Sequence, residues 1–186
     1  ALNQEQVEQL RLYSDPTAKG LKEKLADLYG VESENIFLSN GSDDILNFAF
    51  MAFGQDGAVF PDITYGFYTV FAELHSVEYE EIPLKEDFTV EYKDYLAKNK
   101  LIVIANPNAP TGIVLGLDDI EKIVASNKDR IVLIDEAYVD FGAESALELT
   151  KKYDNLLVVQ TFSKSRSLAG ARLGFAIGSE SIISDL

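Results

Sequence analysis

A lysine that follows a buried strand directly, among hydroxyl residues and arginines, is poorly suited to packing and well suited to chemistry. Lys164 stands in such a place, in the run Gln160-Thr-Phe-Ser163-Lys164-Ser-Arg166-Ser-Leu-Ala-Gly170-Ala-Arg172-Leu-Gly174. Cationic neighbours and partial burial both depress an amine pKa, and the neutral amine is a nucleophile near neutral pH. Ser163 and Arg172 have the chemistry to clamp a phosphate in the same stretch. The plain alternative is a solvated loop lysine, the usual fate of this residue type.

Four other clusters invite the same question. In Ile131-Val-Leu-Ile-Asp135-Glu136-Ala-Tyr138, four apolar residues deliver Asp135 to the end of a buried strand. A carboxylate there is costly unless a positive or hydrogen-bonding group meets it. The run also resembles the magnesium-holding acid of a nucleotide hydrolase, but that reading needs a G-x-x-x-x-G-K-[ST] loop, which the chain lacks. A structural salt bridge is the bland account. Ser39-Asn40-Gly41-Ser42-Asp43-Asp44 reads as a strand end, a glycine turn and a helix start. A helix start offers free amides and a positive dipole end to an anion; it is equally a favourable cap. Asn106-Pro-Asn108-Ala109-Pro110-Thr-Gly112 is a rigid turn whose asparagines are possible donors to a ligand, or only a turn. Tyr65, in ITYGFY, is an aromatic at a helix start, a residue type more often found in a core. His75, the single histidine, ends a helix-like run away from these clusters and reads as structural.

The elements that must position these groups are short. Strand-like runs cover Ile36–Ser39, Ala58–Phe60, Glu78–Ile82, Leu101–Ala105, Ile131–Asp135, Leu156–Thr161 and Leu173–Gly178. Helix-like stretches cover Gln4–Leu12, Thr17–Tyr29, Asp43–Phe53, Phe67–Leu74, Leu117–Ser126 and roughly Ser145–Lys152. Such alternation predicts an α/β protein, an αβα sandwich with a mostly parallel sheet of about seven strands. LIVIA, IVLID and LLVVQ are apolar on both faces, as buried parallel strands are. Ligands of open parallel sheets sit beyond the carboxyl ends of the strands. SNGSDD, PDITYG, NPNAPTG, DEAY and TFSKS all follow strands, so they converge on one edge.

Composition narrows the partners. Of 186 residues, 47% are hydrophobic and 25% charged, as in a globular protein. No apolar run approaches the roughly 20 residues of a membrane span. With no cysteine, disulfides and thiolate metal sites are excluded, and with one histidine no transition-metal site is expected. A formal charge of −15 repels nucleic acid and anionic membrane, so any phosphate site must be built locally. The expectation is a cytoplasmic protein with small-molecule ligands.

Taken together, NGSDD, TYGFY, NPNAPTG, DEAYVDF and TFSKSRSLAGARLGF, in this order and spacing, resemble the fold-type I pyridoxal-phosphate aminotransferases. The similarity is strongest to the histidinol-phosphate aminotransferase branch and runs from YSDPTAKGLKEKLADLYGV to the C-terminus. It implies pyridoxal 5'-phosphate as cofactor. Lys164 then matches the lysine that binds the cofactor covalently and shuttles a proton to the substrate α-carbon. Asp135 matches the carboxylate on the pyridine nitrogen, Tyr138 the phenol on the ring oxygen, and Tyr65 the aromatic stacked on the ring. Gly41, Ser42 and Asp43 match the phosphate cradle, completed by Ser163 and Arg172, with Thr161 behind them. Where many relatives carry a ring-contacting Asn before Pro-Thr-Gly, this chain has Ala109; Asn106 or Asn108 is expected to take that contact.

The resemblance also implies an amino donor and a keto acid as substrates, histidinol phosphate and 2-oxoglutarate, and a homodimer. An aromatic amino-acid aminotransferase and a phosphorylated-amino-acid decarboxylase are relatives that these residues do not separate, and a noncatalytic ligand-binding domain is the rival from another class. Members of the family carry a further N-terminal segment and a C-terminal small domain. The expectation is therefore a fragment: residues 1–30 as N-terminal helices on a large domain of 31–186, without the small domain, capturing cofactor with weak or no turnover.

Overall fold

The structure is a computed structural model that describes residues 3–186, so positions 1 and 2 of the expected N-terminal helices lie outside the described residues. The chain begins with helices α1 (Gln4–Gln9) and α2 (Lys19–Tyr29), then strand β1 (Ile36–Ser39) and helix α3 (Ser42–Phe53). Strand β2 (Ala58–Pro61), helix α4 (Phe67–Leu74) and strands β3 (Tyr79–Ile82) and β4 (Leu101–Ala105) follow. Helix α5 (Leu117–Ser126), strands β5 (Val132–Asp135), β6 (Leu156–Thr161) and β7 (Gly174–Ile177) and helix α6 (Glu180–Asp185) complete it.

Among the described residues the strands form one seven-stranded sheet in the order β1-β7-β6-β5-β4-β2-β3. Neighbours from β3 to β6 pair in parallel, whereas β7 is antiparallel to both β1 and β6. This is the αβα sandwich with a mostly parallel sheet that the sequence predicts.

Side chains alternate across each strand, so one strand feeds two cores. Ile102, Ile104, Val132, Ile134, Leu156 and Val158 point to the layer formed by α2 and α5. Leu101, Val103, Leu133, Leu157 and Val159 point to the opposite layer, where α3, α4 and α6 lie. Each fully buried Ile or Leu contributes about 1.5–3 kcal/mol. Helix α5 turns Ile120, Ile123 and Val124 inward, the one-face spacing of an amphipathic helix. Of the two N-terminal helices, α2 joins the core through Leu25 and Ala26, while Val7 on α1 is exposed.

Two elements differ from expectation. The stretch around 145–152 is a 3-10 helix, Ala146–Lys151, rather than an α-helix. Its first amides are taken by side chains: Ala146 N–H donates to Glu136 and Leu147 N–H to the Ser145 hydroxyl. Helix α6, which the sequence reading left out, is capped by Ser179 and buries Ile182 and Ile183.

Candidate active site

The strand-end clusters meet around one cavity of about 240 Å³, at the small end of ligand sites. Ser42, Asp43, Tyr65, Asp135, Tyr138, Thr161, Ser163, Lys164 and Arg172 line it, with Pro107, Ala109 and three further alanines. The sheet explains the convergence. β5 and β6 are parallel neighbours, so the chain after each leaves at the same edge and delivers Asp135 and Lys164 side by side.

Asp135 is the last residue of β5 and is buried. By strand alternation its side chain follows Leu133 toward the α4 layer. Its carboxylate accepts the Tyr68 hydroxyl at 2.8 Å and the Ala137 amide at 3.2 Å. Burial pushes its pKa up to about 6; the Tyr68 and Ala137 hydrogen bonds and the Lys164 charge pull it down, and the Asp43 charge adds to the rise. Tyr65 donates to Asp43 at 3.0 Å, and burial with that bond raises its phenol pKa. Its ring lies edge-on to Tyr68, with centroids 5.6 Å apart.

Lys164 is exposed, contrary to the expected partial burial, and its Nζ lies 5.2 Å from the centre of the Tyr138 ring. Arg166, expected as a cationic neighbour, is turned away. It donates to Gln160 at 2.7 Å, pairs with Asp140 at 3.1 Å and lies over Phe162 and Phe175. Thr161 accepts the Ser163 amide at 3.1 Å, which fixes the backbone just before Lys164.

One end of the cavity lies where α3 starts. Gly41 has φ 90, a conformation side chains rarely adopt. A Cβ there would meet Arg172 Nη2 at 2.5 Å, and a Cβ on Gly174 would meet Gly41 C and Ser42 N at 2.5 Å. Both glycines thus let β7 and the Arg172 guanidinium close onto the first amides of α3. Arg172 has a left-handed backbone, φ 54, that turns the chain into β7, and its guanidinium donates to the carbonyls of Ala169 and Asn40.

Neither asparagine of the NPNAPTG turn lines this cavity; Pro107 and Ala109 do. Asn106 donates to Leu115 O at 3.0 Å and accepts Leu115 N–H at 2.8 Å. Asn108 donates to Ile63 O and Thr111 and accepts the Thr64 hydroxyl. Neither of them, one of which was expected to take a ring contact, faces this cavity: their amides pin the turn. His75 meets Asn47 at 2.8 Å and does not line the cavity.

Tyr68 is the site residue that the sequence reading missed. It sits one helical turn after Tyr65, and a buried tyrosine, unlike a phenylalanine, demands a partner for its hydroxyl. That demand is legible in sequence; the identity of the partner is not. The assembled groups offer a primary amine, a buried acid facing the cavity, two phenols and a helix start beside a guanidinium.

The Aminotransferase class I and II family matches residues 1–186. A histidinol-phosphate aminotransferase of Brachyspira hyodysenteriae is 57% identical over 100% of this chain and 53% of its own length. One from Lactococcus lactis subsp. cremoris is 51% identical over 96% of this chain and 51% of its own. The crystal structure of histidinol-phosphate aminotransferase from Sinorhizobium meliloti, in complex with pyridoxal-5'-phosphate, superposes with a TM-score of 0.85 at 25% identity, covering 93% of this chain and 50% of that one. The chain spans about half the length of the curated relatives it matches. With its strand-end site and a family match over its full length, the chain belongs to the class I and II aminotransferases.

Proposed function

We propose that these residues bind pyridoxal 5'-phosphate and that the whole enzyme to which they belong transfers the amino group of histidinol phosphate to 2-oxoglutarate. The observation that carries the reading is the single cavity shared by Lys164 and Asp135 at the ends of adjacent parallel strands. The relatives' names supply the amino donor.

The residues fit the cofactor. Asp135 is a buried acid turned to a cavity, a setting that calls for an N–H or cationic partner such as a pyridinium nitrogen. Gly41, Ser42, Ser163 and Arg172 surround a helix start, where a phosphate ester finds amides and a favourable dipole. When bound, pyridoxal phosphate supplies an electrophilic aldehyde and an electron-accepting ring.

Lys164 would hold the cofactor through Nζ, and the same amine is the group that would carry a proton at the substrate α-carbon. Asp135, ionised above about pH 6, would hold the ring nitrogen protonated. Tyr138 would donate to the cofactor's ring oxygen, and Tyr65, whose hydroxyl is tied to Asp43, would stack on the ring. Thr161 braces the backbone of Ser163, which would help hold the phosphate. The proposal extends to a homodimer, for which Phe67, Val70 and Leu74 stand exposed on α4 just beyond Tyr65.

The test is to add pyridoxal phosphate, reduce with borohydride and map the adduct. A single adduct on Lys164, absent from Lys164→Ala, is expected. Labelling spread over surface lysines with none at Lys164 sinks the cofactor reading. Full-length protein should then form glutamate from 2-oxoglutarate when histidinol phosphate is the donor, and no glutamate would refute the substrate.

A further inference from the structure

Tyr68 carries an inference that rests on the cofactor reading and deepens it. Its ring is fully buried on the inner side of α4, among Phe50, Phe60 and Tyr65 with centroids 6.4, 5.8 and 5.6 Å away. These neighbours are aromatic, and packing alone would be served by phenylalanine. The hydroxyl is the one polar group on the side chain, and it points at Asp135 Oδ2 from 2.8 Å. The other carboxylate oxygen accepts the Ala137 amide. Two donors on two oxygens fix the carboxylate plane and leave its remaining lone pairs to the cavity.

We propose that Tyr68 is a positioning residue for Asp135: its hydroxyl holds the carboxylate ionised and aimed into the cavity before any ligand arrives. A buried acid prefers to take up a proton, and a neutral Asp135 does not hold a ring nitrogen protonated. A hydrogen bond donated by a phenol strengthens as the acceptor gains charge, so it favours the ionised form. The groups facing Asp135 come from each surrounding element. Asp43 at the start of α3 and Glu136, next in the chain, oppose its charge, and Lys164 after β6 supports it. Tyr65 and Tyr138 bring phenols and Arg172 a guanidinium to the same cavity. Among these, Tyr68 is the side chain in direct hydrogen-bond contact with the carboxylate.

The experiment compares wild type with Tyr68→Phe, which keeps the ring and deletes the donor. In cofactor-free protein, the Asp135 side-chain carbon is titrated by NMR, its resonance assigned with Asp135→Asn. The midpoint is expected to rise by about one to two pH units in Tyr68→Phe, because a hydrogen bond to a charge is lost. Affinity for pyridoxal phosphate is expected to fall about 2- to 10-fold at pH 7 and to recover by pH 9, where both proteins are ionised. A Tyr68 that only packs the core would lower the melting temperature and leave both midpoints in place, and that result overturns the proposal.

Should Tyr68→Phe fail to fold, wild type alone decides. The Tyr68 hydroxyl proton should appear downfield, exchange slowly and shift with the Asp135 midpoint; a proton that does not follow that midpoint overturns the proposal. Failure of wild type to bind pyridoxal phosphate would sink the cofactor reading, while the carboxyl titration still decides what Tyr68 does.

Discussion

Asp135 and Glu136 are consecutive, buried and both raised in pKa by burial, yet they belong to different regions of the molecule. Strand alternation sends the first toward α4 and the cavity and the second to the α2 and α5 side. There Glu136 accepts the Ser145 hydroxyl at 2.6 Å, the Ala146 amide at 2.6 Å and the Gln160 amide at 2.8 Å. Its environment is closed by protein donors. That of Asp135 has two donors and an opening. The difference teaches how to tell two buried acids apart: the one whose donors are all supplied by the fold serves the fold, and the one left facing space has capacity to spare for a ligand.

Substitutions break that contrast in opposite directions. Glu136→Ala strands a buried amide N–H, a hydroxyl and a carboxamide, and should cost about 3–5 kcal/mol of stability. Chemical denaturation measures it, and a cost below roughly 1 kcal/mol would erase the distinction. Asp135→Asn should do the reverse at pH 8, stabilising the cofactor-free protein by about 2–3 kcal/mol while weakening cofactor binding.

The sign follows from the direction of the shift. A carboxyl whose folded pKa, about 6, lies above its unfolded value binds its proton more tightly when folded. Its favourable contribution is complete below about pH 4 and is lost as pH rises through 6. Denaturation of wild type and Asp135→Asn at pH 4, 6 and 8 should therefore show the variant's advantage growing with pH.

The smallest effect concerns the turn. Asn106→Ala deletes two hydrogen bonds to Leu115 and should cost about 1–3 kcal/mol, with borohydride-trapped adduct at Lys164 unchanged in the folded protein. Loss of adduct at full stability would return Asn106 to the ligand.

The central strands were legible because they are apolar on both faces. Ile36–Ser39, Leu101–Ala105 and Leu156–Thr161 lie where the β-branched runs predicted them. The lateral order was not, since nothing in a strand names its neighbour; the meeting of β1 with β7 brings Arg172 to Gly41. Within the site, residues at strand ends were legible by position. What stayed hidden were partners across space: Tyr68 on Asp135, Tyr65 on Asp43, and the turn contacts that occupy Asn106 and Asn108. A side chain's residue type shows what it can bond, and only the fold shows where that capacity is used.

The reversed strand has one more consequence, for assembly. Ile36 pairs with Ile177, so the proposed phosphate seat joins residues near opposite ends of the described chain. Contacts so distant in sequence close late, because the intervening loop entropy must be overcome first. The parallel strands can order Asp135 and Lys164 beforehand, whereas the seat forms only when β7 docks against β1. An anion that binds only the closed seat would act as a latch, drawing the last pairing shut by mass action and slowing its release.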